Sequence, residues 1–205
     1  MKKLSILCFL LPLFALGQDD FQLWTKVEID YRINKKLHIE LAEGFRFREN
    51  VSLPSKTFTD FKASYKHNKK VRIGTGYRFI QTFNLAQEIR LRHRWYVDMT
   101  LRQKVKKYQF GFRSRIQHQK GVDHIEQNYR GKISASYNIP KTPLEPTISI
   151  ETFLNLQSPQ FDKFRYTLDL LYPLNKKAQA RLYYRVQQEI NVPNTNMFYI
   201  LGAGV

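Results

Sequence analysis

"FQLWTKVEIDYRI", residues 21–33, alternates apolar and polar side chains with a period of two. Phe21, Val27 and Ile29 stand at odd positions, whereas every even position except Trp24 is polar. Such alternation is typical of a β-strand that has one apolar face and one wet face. The stretch therefore predicts a strand, and it assigns a face to each of its side chains.

The same alternation continues along almost the whole chain, and no segment shows convincing helical spacing. Most of the alternating runs have 9 to 14 residues. Strands of soluble proteins cluster around five or six residues, whereas a strand that crosses a membrane needs about 9–11. The predicted strands are 21–33, 37–48, 58–66, 71–80, 88–105, 108–120, 127–139, 146–155, 163–174, 178–190 and 197–205.

The connections between these runs alternate between two kinds. The short basic ones are "NKK" 34–36, "HNKK" 67–70, "KK" 106–107, "PKTP" 140–143 and "NKK" 175–177; the longer ones are 49–57, 81–87, 121–126, 156–162 and 191–196. In an up-and-down meander, every second connection lies on the same rim, so one rim is expected to be tight and basic. We expect its asparagines to adopt the left-handed conformation of tight hairpins and its lysines to keep the rim wet.

The first segment, residues 1–17, reads as a secretory signal peptide that is cleaved before Gln18. Its apolar core is too short to span a membrane comfortably, and Leu7 before Cys8 is not the small residue of a lipoprotein signal. Cys8 is the only cysteine, so the mature chain has none, which favours a bacterial envelope over a secreted eukaryotic domain. The net charge of +17, which falls by two with the signal, fits nucleic acid, an anionic membrane surface or an anionic ligand, and export argues against nucleic acid.

Together these features predict an all-β fold, an up-and-down antiparallel transmembrane β-barrel of 10–12 strands over residues 18–205. Outer-membrane barrels combine short periplasmic turns with longer extracellular loops. A soluble, lipocalin-type barrel would explain the alternation, but it would not explain the strand length or the two unequal rims. Eleven strands are counted where an even number is expected, so either one strand is missed or 88–105 is misdivided. Aromatic residues near strand ends are candidates for interfacial girdles: Trp24, Tyr65, Tyr77, Tyr108, Tyr137 and Tyr172.

Several long stretches resemble an outer-membrane barrel family, domain-of-unknown-function family 2490. They are "LWTKVEIDYRINKKLHIELAEGFRFRE" 23–49, "HRWYVDMTLRQK" 93–104, "FGFRSRIQ" 110–117, "ARLYYRVQQEIN" 180–191 and "YILGAGV" 199–205. The resemblance covers the mature chain and consists of strand patterns. It implies a bacterial outer-membrane barrel in contact with lipid and lipopolysaccharide, and it implies no activity.

The wet face is rich in arginine and would line the lumen of a membrane barrel. The candidate ligand or lumen residues are Arg46, Arg48, Arg92, Arg94, Arg113, Arg115, Arg181 and Arg185. One interpretation is that these arginines pair with carboxylates and fill a narrow interior, as in small barrels. The other is that their excess charge attracts a small anionic solute into a narrow pore or binding barrel.

A second constellation is predicted on the apolar face. If Lys106 and Lys107 form a two-residue hairpin, Trp95 faces His118 and Met99 faces Ser114, with His93 diagonal to His118. A serine and a histidine at the lipid surface suggest an outer-membrane lipid hydrolase, although no carboxylate is identifiable there to orient the base. Ser114, His118 and His93 are therefore the only catalytic candidates.

Other chemistry is not indicated by the sequence. It holds no phosphate loop, zinc spacing or nucleophile elbow, so no cofactor or metal is expected. Gly74 and Gly76 are expected to make room for arginines or to mark a bulge. The open functions are a narrow pore or anion-binding barrel, a structural or assembly partner in the envelope, the lipid hydrolase and, without membrane insertion, a soluble periplasmic binding barrel.

Overall fold

The computed structural model describes residues 20–121, 125–191 and 195–205, so the predicted signal peptide and Cys8 lie outside the described residues. No helix long and apolar enough to cross a membrane occurs in these ranges. The described chain forms eleven strands: β1 (Asp20–Arg32), β2 (Leu37–Arg48), β3 (Leu53–Lys66), β4 (Val71–Phe83), β5 (Ile89–Val105), β6 (Tyr108–Lys120), β7 (Ile125–Tyr137), β8 (Glu145–Asn155), β9 (Gln160–Pro173), β10 (Gln179–Glu189) and β11 (Met197–Gly204).

The strands form a closed up-and-down barrel in which each strand pairs antiparallel with its neighbours in the chain. The predicted barrel and its range of 10–12 strands are thus confirmed. Within the predicted segment 88–105, Ile89–Val105 form one strand of 17 residues, so this segment was not misdivided. The predicted pairing of β5 with β6 is also correct, because Trp95 faces His118 and Met99 faces Ser114.

The barrel closes through a parallel pair between β1 and β11. Leu23 is the partner of Leu201, and Thr25 is the partner of Ala203. In a meander with an odd number of strands, the first and last strands run in the same direction, so the closing pair must be parallel. The expected even number does not hold for the described residues, and Asp20 and Gly204 lie at opposite rims.

The outer surface of the barrel is apolar and the interior is polar. Ile29 is 63% exposed and Leu41 is 45% exposed, whereas Asp98 and Arg115, on inward-facing positions, are buried. A soluble barrel would show the reverse arrangement, with the aliphatic side chains in a dry core. A band of exposed aliphatic residues around the whole wall fits a hydrocarbon environment.

Three of the tight connections are closed in the same way by an asparagine side chain. Oδ1 of Asn34 accepts hydrogen bonds from the backbone N–H of Lys36 and Leu37 at 2.8 and 2.9 Å, and Asn68 and Asn175 repeat both bonds at the same distances. None of these asparagines has a positive φ, so the expectation of a left-handed conformation was wrong for them. Instead, the side-chain oxygen of each asparagine closes the connection as an Asx turn, by accepting hydrogen bonds from the backbone N–H groups that follow.

In the other two tight connections, the positive φ belongs to a lysine. Lys106 has φ of 53° and Lys141 has φ of 62°. The chain therefore turns at the same rim by two different means. Each of them leaves lysine side chains exposed at the tip of the turn.

Candidate functional site

The barrel encloses a cavity of about 1420 Å³ that is lined by seventeen Lys and Arg side chains and nine Asp and Glu side chains. All eight arginines predicted as lumen residues are among the lining residues. The lining runs from Asn50 and Asn84, at the long-loop rim, to Lys62 and Arg181 in the half toward the tight rim. The excess of basic side chains gives this interior a positive charge.

Glu151 on β8 gathers three arginines from three other strands. Its Oε1 accepts hydrogen bonds from Arg113 at 2.6 Å and from Arg130 at 2.8 Å, and its Oε2 accepts one from Arg165 at 3.1 Å. The carboxylate is 5% exposed. One negative charge thus fixes three guanidinium groups, and this cluster keeps a positive charge overall.

Other carboxylates hold further cations against the wall. Asp98 pairs with Arg115, and Asp169 accepts two bonds from Nε of Arg181 at 2.8 and 3.0 Å. Further pairs join Arg78 to Asp60 at 2.6 Å, Lys62 to Glu40 at 3.1 Å and Arg92 to Glu126 at 3.3 Å. Among the predicted lumen residues, Arg92, Arg113, Arg115 and Arg181 are therefore paired with carboxylates.

Three of the other four predicted arginines donate hydrogen bonds to neutral groups. Nε of Arg94 donates to the side-chain oxygen of Gln119 at 2.9 Å, and Arg48 donates to the carbonyl of Phe83 at 2.9 Å. Nε of Arg185 donates to the hydroxyl of Thr167 at 3.0 Å. These bonds orient the guanidinium groups without neutralising them.

One group of cations stands around Trp24. The guanidinium carbon of Arg46 lies 3.7 Å from the centroid of the indole, and that of Arg185 lies 5.2 Å from it. Lys56 is the cross-strand partner of Arg46 on β3. Among the described residues, no carboxylate lies within salt-bridge distance of Arg46, Lys56 or Arg185. We call these four residues the Trp24 cluster; all of them line the cavity.

Trp24 was expected in an interfacial girdle, and that prediction was wrong. Trp24 is 6% exposed and stands on the inner face of β1. Its even position in the alternation of residues 21–33 was the signal that placed it inside. Tyr65, Tyr108 and Tyr172 do lie on the outer surface near the tight rim.

Three inner aromatic rings lie flat against the wall because glycine faces each of them on the adjacent strand. A Cβ added at Gly44 would lie 2.2 Å from the ring of Phe58. The same is true of Gly76 with Tyr96, at 2.3 Å, and of Gly202 with Tyr183, at 1.9 Å. Rings that cover glycines in this way leave the centre of the barrel free.

Arginines stack on the open faces of these rings. The guanidinium carbons of Arg78, Arg115 and Arg185 lie 4.1, 3.8 and 4.5 Å from the centroids of Phe58, Tyr96 and Tyr183. Cation–π contacts of this kind orient a guanidinium group while leaving its charge in place. This layer of stacked rings and guanidinium groups was not predicted from the sequence.

The glycines of β4 do not make room for arginines, as had been expected. Gly76 accommodates the ring of Tyr96, and Gly74 lies against Asp98 and Lys62. Neither marks a bulge, because the β3–β4 and β4–β5 pairs continue in register through both positions. The glycines shape the wall beneath aromatic and acidic side chains.

The catalytic candidates lie on the outer surface but are not brought together as a nucleophile and base. Ser114 and His118 are four residues apart on β6, which is about 13 Å along a strand. Nδ1 of His93 lies 2.6 Å from the hydroxyl of Tyr77, and Nδ1 of His118 lies 3.5 Å from Nε2 of Gln127. The described residues also contain no group of three His, Cys, Asp or Glu side chains that could hold a metal ion.

A closed barrel of long strands, apolar outside and charged inside, defines the class of transmembrane β-barrels of the outer-membrane type. Two solved structures share this fold. A KdgM porin in complex with disordered oligogalacturonate matches with a TM-score of 0.52 and 14% identity, over 84% of this chain and 91% of that chain. Another KdgM porin structure matches with a TM-score of 0.52 and 13% identity, over 83% and 89%.

The sequence comparison gives the particular family. The chain belongs to the family described as "Protein of unknown function (DUF2490)", whose model matches residues 21–198. This confirms the resemblance drawn from the strand patterns. No curated protein matches the sequence.

Proposed function

We propose that this protein is exported through a signal peptide at residues 1–17 and inserts into the outer membrane. There its basic lumen binds small anionic solutes and lets them pass. The observation that carries the proposal is the Trp24 cluster, whose cations point into the cavity without a carboxylate to neutralise them. A charge held in a lumen away from bulk water needs a counter-charge, and a solute anion supplies it.

The described basic residues form two groups, one paired with carboxylates and one not, and this difference supports the proposed function. Cations paired with carboxylates, such as Arg115 with Asp98, fix the wall and keep the passage narrow. The cations without a carboxylate partner in the described part of the chain, among them Arg46, Lys56 and Arg185, supply the positive charge that remains. The distinction between paired and unpaired cations thus unites the two interpretations of the arginine-rich face: a partly filled lumen that still attracts anions.

Anionic oligosaccharides are candidate solutes. One structure with a similar barrel is a KdgM porin in complex with oligogalacturonate, a chain of carboxylated sugars. A linear polyanion suits a narrow cavity that has cations without a described carboxylate partner along its length, from Arg48 near the long-loop rim to Arg185 in the middle of β10. Each carboxylate could then meet a guanidinium group in bidentate fashion.

Planar-bilayer recordings test the proposal. The wild-type protein in a KCl gradient is expected to give a reversal potential of an anion-selective pore. Replacing Arg46, Lys56 and Arg185 with Gln is expected to lower the chloride-to-potassium permeability ratio several-fold. Oligogalacturonate is expected to block the wild-type current and to block the triple variant much less.

The control removes a charge pair without changing the net charge. Arg181→Gln with Asp169→Asn alters the same lumen and should leave the selectivity close to that of the wild type. Heat-modifiable migration on gels verifies that each variant is a folded barrel. A silent bilayer with folded protein, or unchanged selectivity in the triple variant, would overturn the proposal.

A further inference from the structure

The connections at the two rims of the barrel differ in their basic residues. The five tight connections contain nine lysines and no Asp or Glu: two lysines in each of four connections and Lys141 in the fifth. The five connections of the opposite rim, 49–52, 84–88, 121–124, 156–159 and 190–196, contain no Lys or Arg. This separation of charge is a property of the connections, because basic residues occur on strands throughout the barrel and Arg48 and Lys120 end β2 and β6 at the opposite rim.

The lysines of the tight rim are displayed by a repeated piece of structure. Asn34, Asn68 and Asn175 each close a turn with the same pair of hydrogen bonds, and each is followed by two lysines. All nine lysines are exposed, and no described carboxylate lies within salt-bridge distance of any of them. Their charges are therefore available to a partner outside the chain.

Tyrosines place this rim at the level of a membrane surface. Tyr65, Tyr108 and Tyr172 are exposed on the outer wall within a few residues of the tight turns. Nζ of Lys36 lies 5.9 Å from the ring centroid of Tyr65. Tyrosines favour the headgroup region of a bilayer, so lysines next to them stand at the height of the lipid phosphates.

We propose that the tight rim is a binding surface for the headgroups of anionic phospholipids in the periplasmic leaflet. Short turns of outer-membrane barrels face the periplasm, and lysines near an anionic leaflet are attracted to it. The rim holds the barrel at a fixed height by ionic contact with phosphatidylglycerol-like lipids. This inference rests on the membrane insertion in the proposed function, but it does not depend on conduction.

The test uses nanodiscs of nine parts phosphatidylcholine and one part phosphatidylglycerol. The protein is extracted in mild detergent, and the lipids that remain bound are quantified by mass spectrometry. The wild-type protein is expected to retain phosphatidylglycerol at least about fivefold above its share in the nanodisc. Replacing the two lysines of each Asn-closed turn with Gln should bring the enrichment below about twofold, while replacing them with Arg should preserve it.

Two other outcomes would overturn the inference. Enrichment that survives the six Lys→Gln changes would show that the rim does not select the lipid. In a parallel set of nanodiscs that contain lipopolysaccharide, retention of lipopolysaccharide that is lost with the same changes would assign the rim to the opposite leaflet.

Planar-bilayer conductance of the same variants separates this inference from the proposed function. The six Lys→Gln changes should leave the anion selectivity near the wild-type value, because none of these lysines lines the cavity. If the selectivity falls while lipid retention stays the same, the rim serves the solute, and the lipid inference fails while the pore remains supported.

Discussion

Trp24 and Arg46 are direct cross-strand partners on the inner face of β1 and β2, with the guanidinium carbon 3.7 Å from the indole centroid. The chain has only one other tryptophan, Trp95, which is 59% exposed on the outer wall. The two indoles thus lie on opposite faces of the barrel wall. One faces the basic cavity, and the other faces the surface that we assign to lipid.

Fluorescence quenching should distinguish the two tryptophans in reconstituted protein. In Trp95→Phe, the remaining Trp24 should be quenched more by iodide than by neutral acrylamide, because the basic cavity concentrates anions. In Trp24→Phe, the remaining Trp95 should lose more than about half of its emission to lipids with brominated acyl chains. Strong quenching of Trp24 by brominated lipid, with none of Trp95, would contradict the orientation of the wall.

Alternation alone predicted most of the barrel from the sequence. It assigned faces correctly along β1 and β2, because a strand has a strict period of two and a one-residue error would invert every side chain. It underestimated the length of β3, which was predicted to begin at residue 58 but begins at Leu53. A bulge at Ser55, opposite Arg46 and Phe47, interrupts the alternation there. Local alternation carries no information about which distant strand closes the barrel, so the parallel seam was not foreseen.

The sequence predicted which side chains face the lumen, but it did not predict which of them bind one another. The predicted lumen residues included Arg113, yet its convergence with Arg130 and Arg165 on Glu151 depends on the stagger of four strands. Trp24 was assigned to a girdle by residue type, although its position in the alternation put it inside. Pairings between side chains two strands apart follow from the closed register, which the sequence does not specify.

The repeated asparagines give a prediction about the tight turns. Asn68→Gly should lower the free energy of unfolding by about 1 kcal/mol, because the two bonds from the backbone N–H of Lys70 and Val71 lose their acceptor. Asn68→Asp should be nearly neutral, since a carboxylate oxygen accepts the same bonds. Urea titrations in micelles measure both. If glycine is tolerated and aspartate is not, the turn depends on a left-handed backbone after all.

Glu151 should be the most sensitive carboxylate of the lumen. Glu151→Gln leaves three guanidinium groups without their negative partner in a buried setting, so we expect a loss of about 3–5 kcal/mol in unfolding free energy. The matched control is Glu189→Gln, whose partner Lys163 lies 3.5 Å away at a more exposed position. That change should cost about 0–1 kcal/mol. Equal effects of the two substitutions would show that the three-arginine cluster does not stabilise the barrel.

The parallel seam can be tested by cross-linking, with the native Cys8 replaced by Ser. Thr25 and Ala203 are direct partners in β1 and β11, so cysteines at both positions should form a disulfide on mild oxidation. The control pair is Thr25→Cys with Tyr199→Cys. In the parallel register Tyr199 pairs with Phe21, which puts it about 13 Å along the strand from Thr25. An antiparallel seam centred on Leu23 and Leu201 would instead bring Thr25 opposite Tyr199. Non-reducing gels of the two variants therefore decide the direction of β11, since only one pair can close in each arrangement.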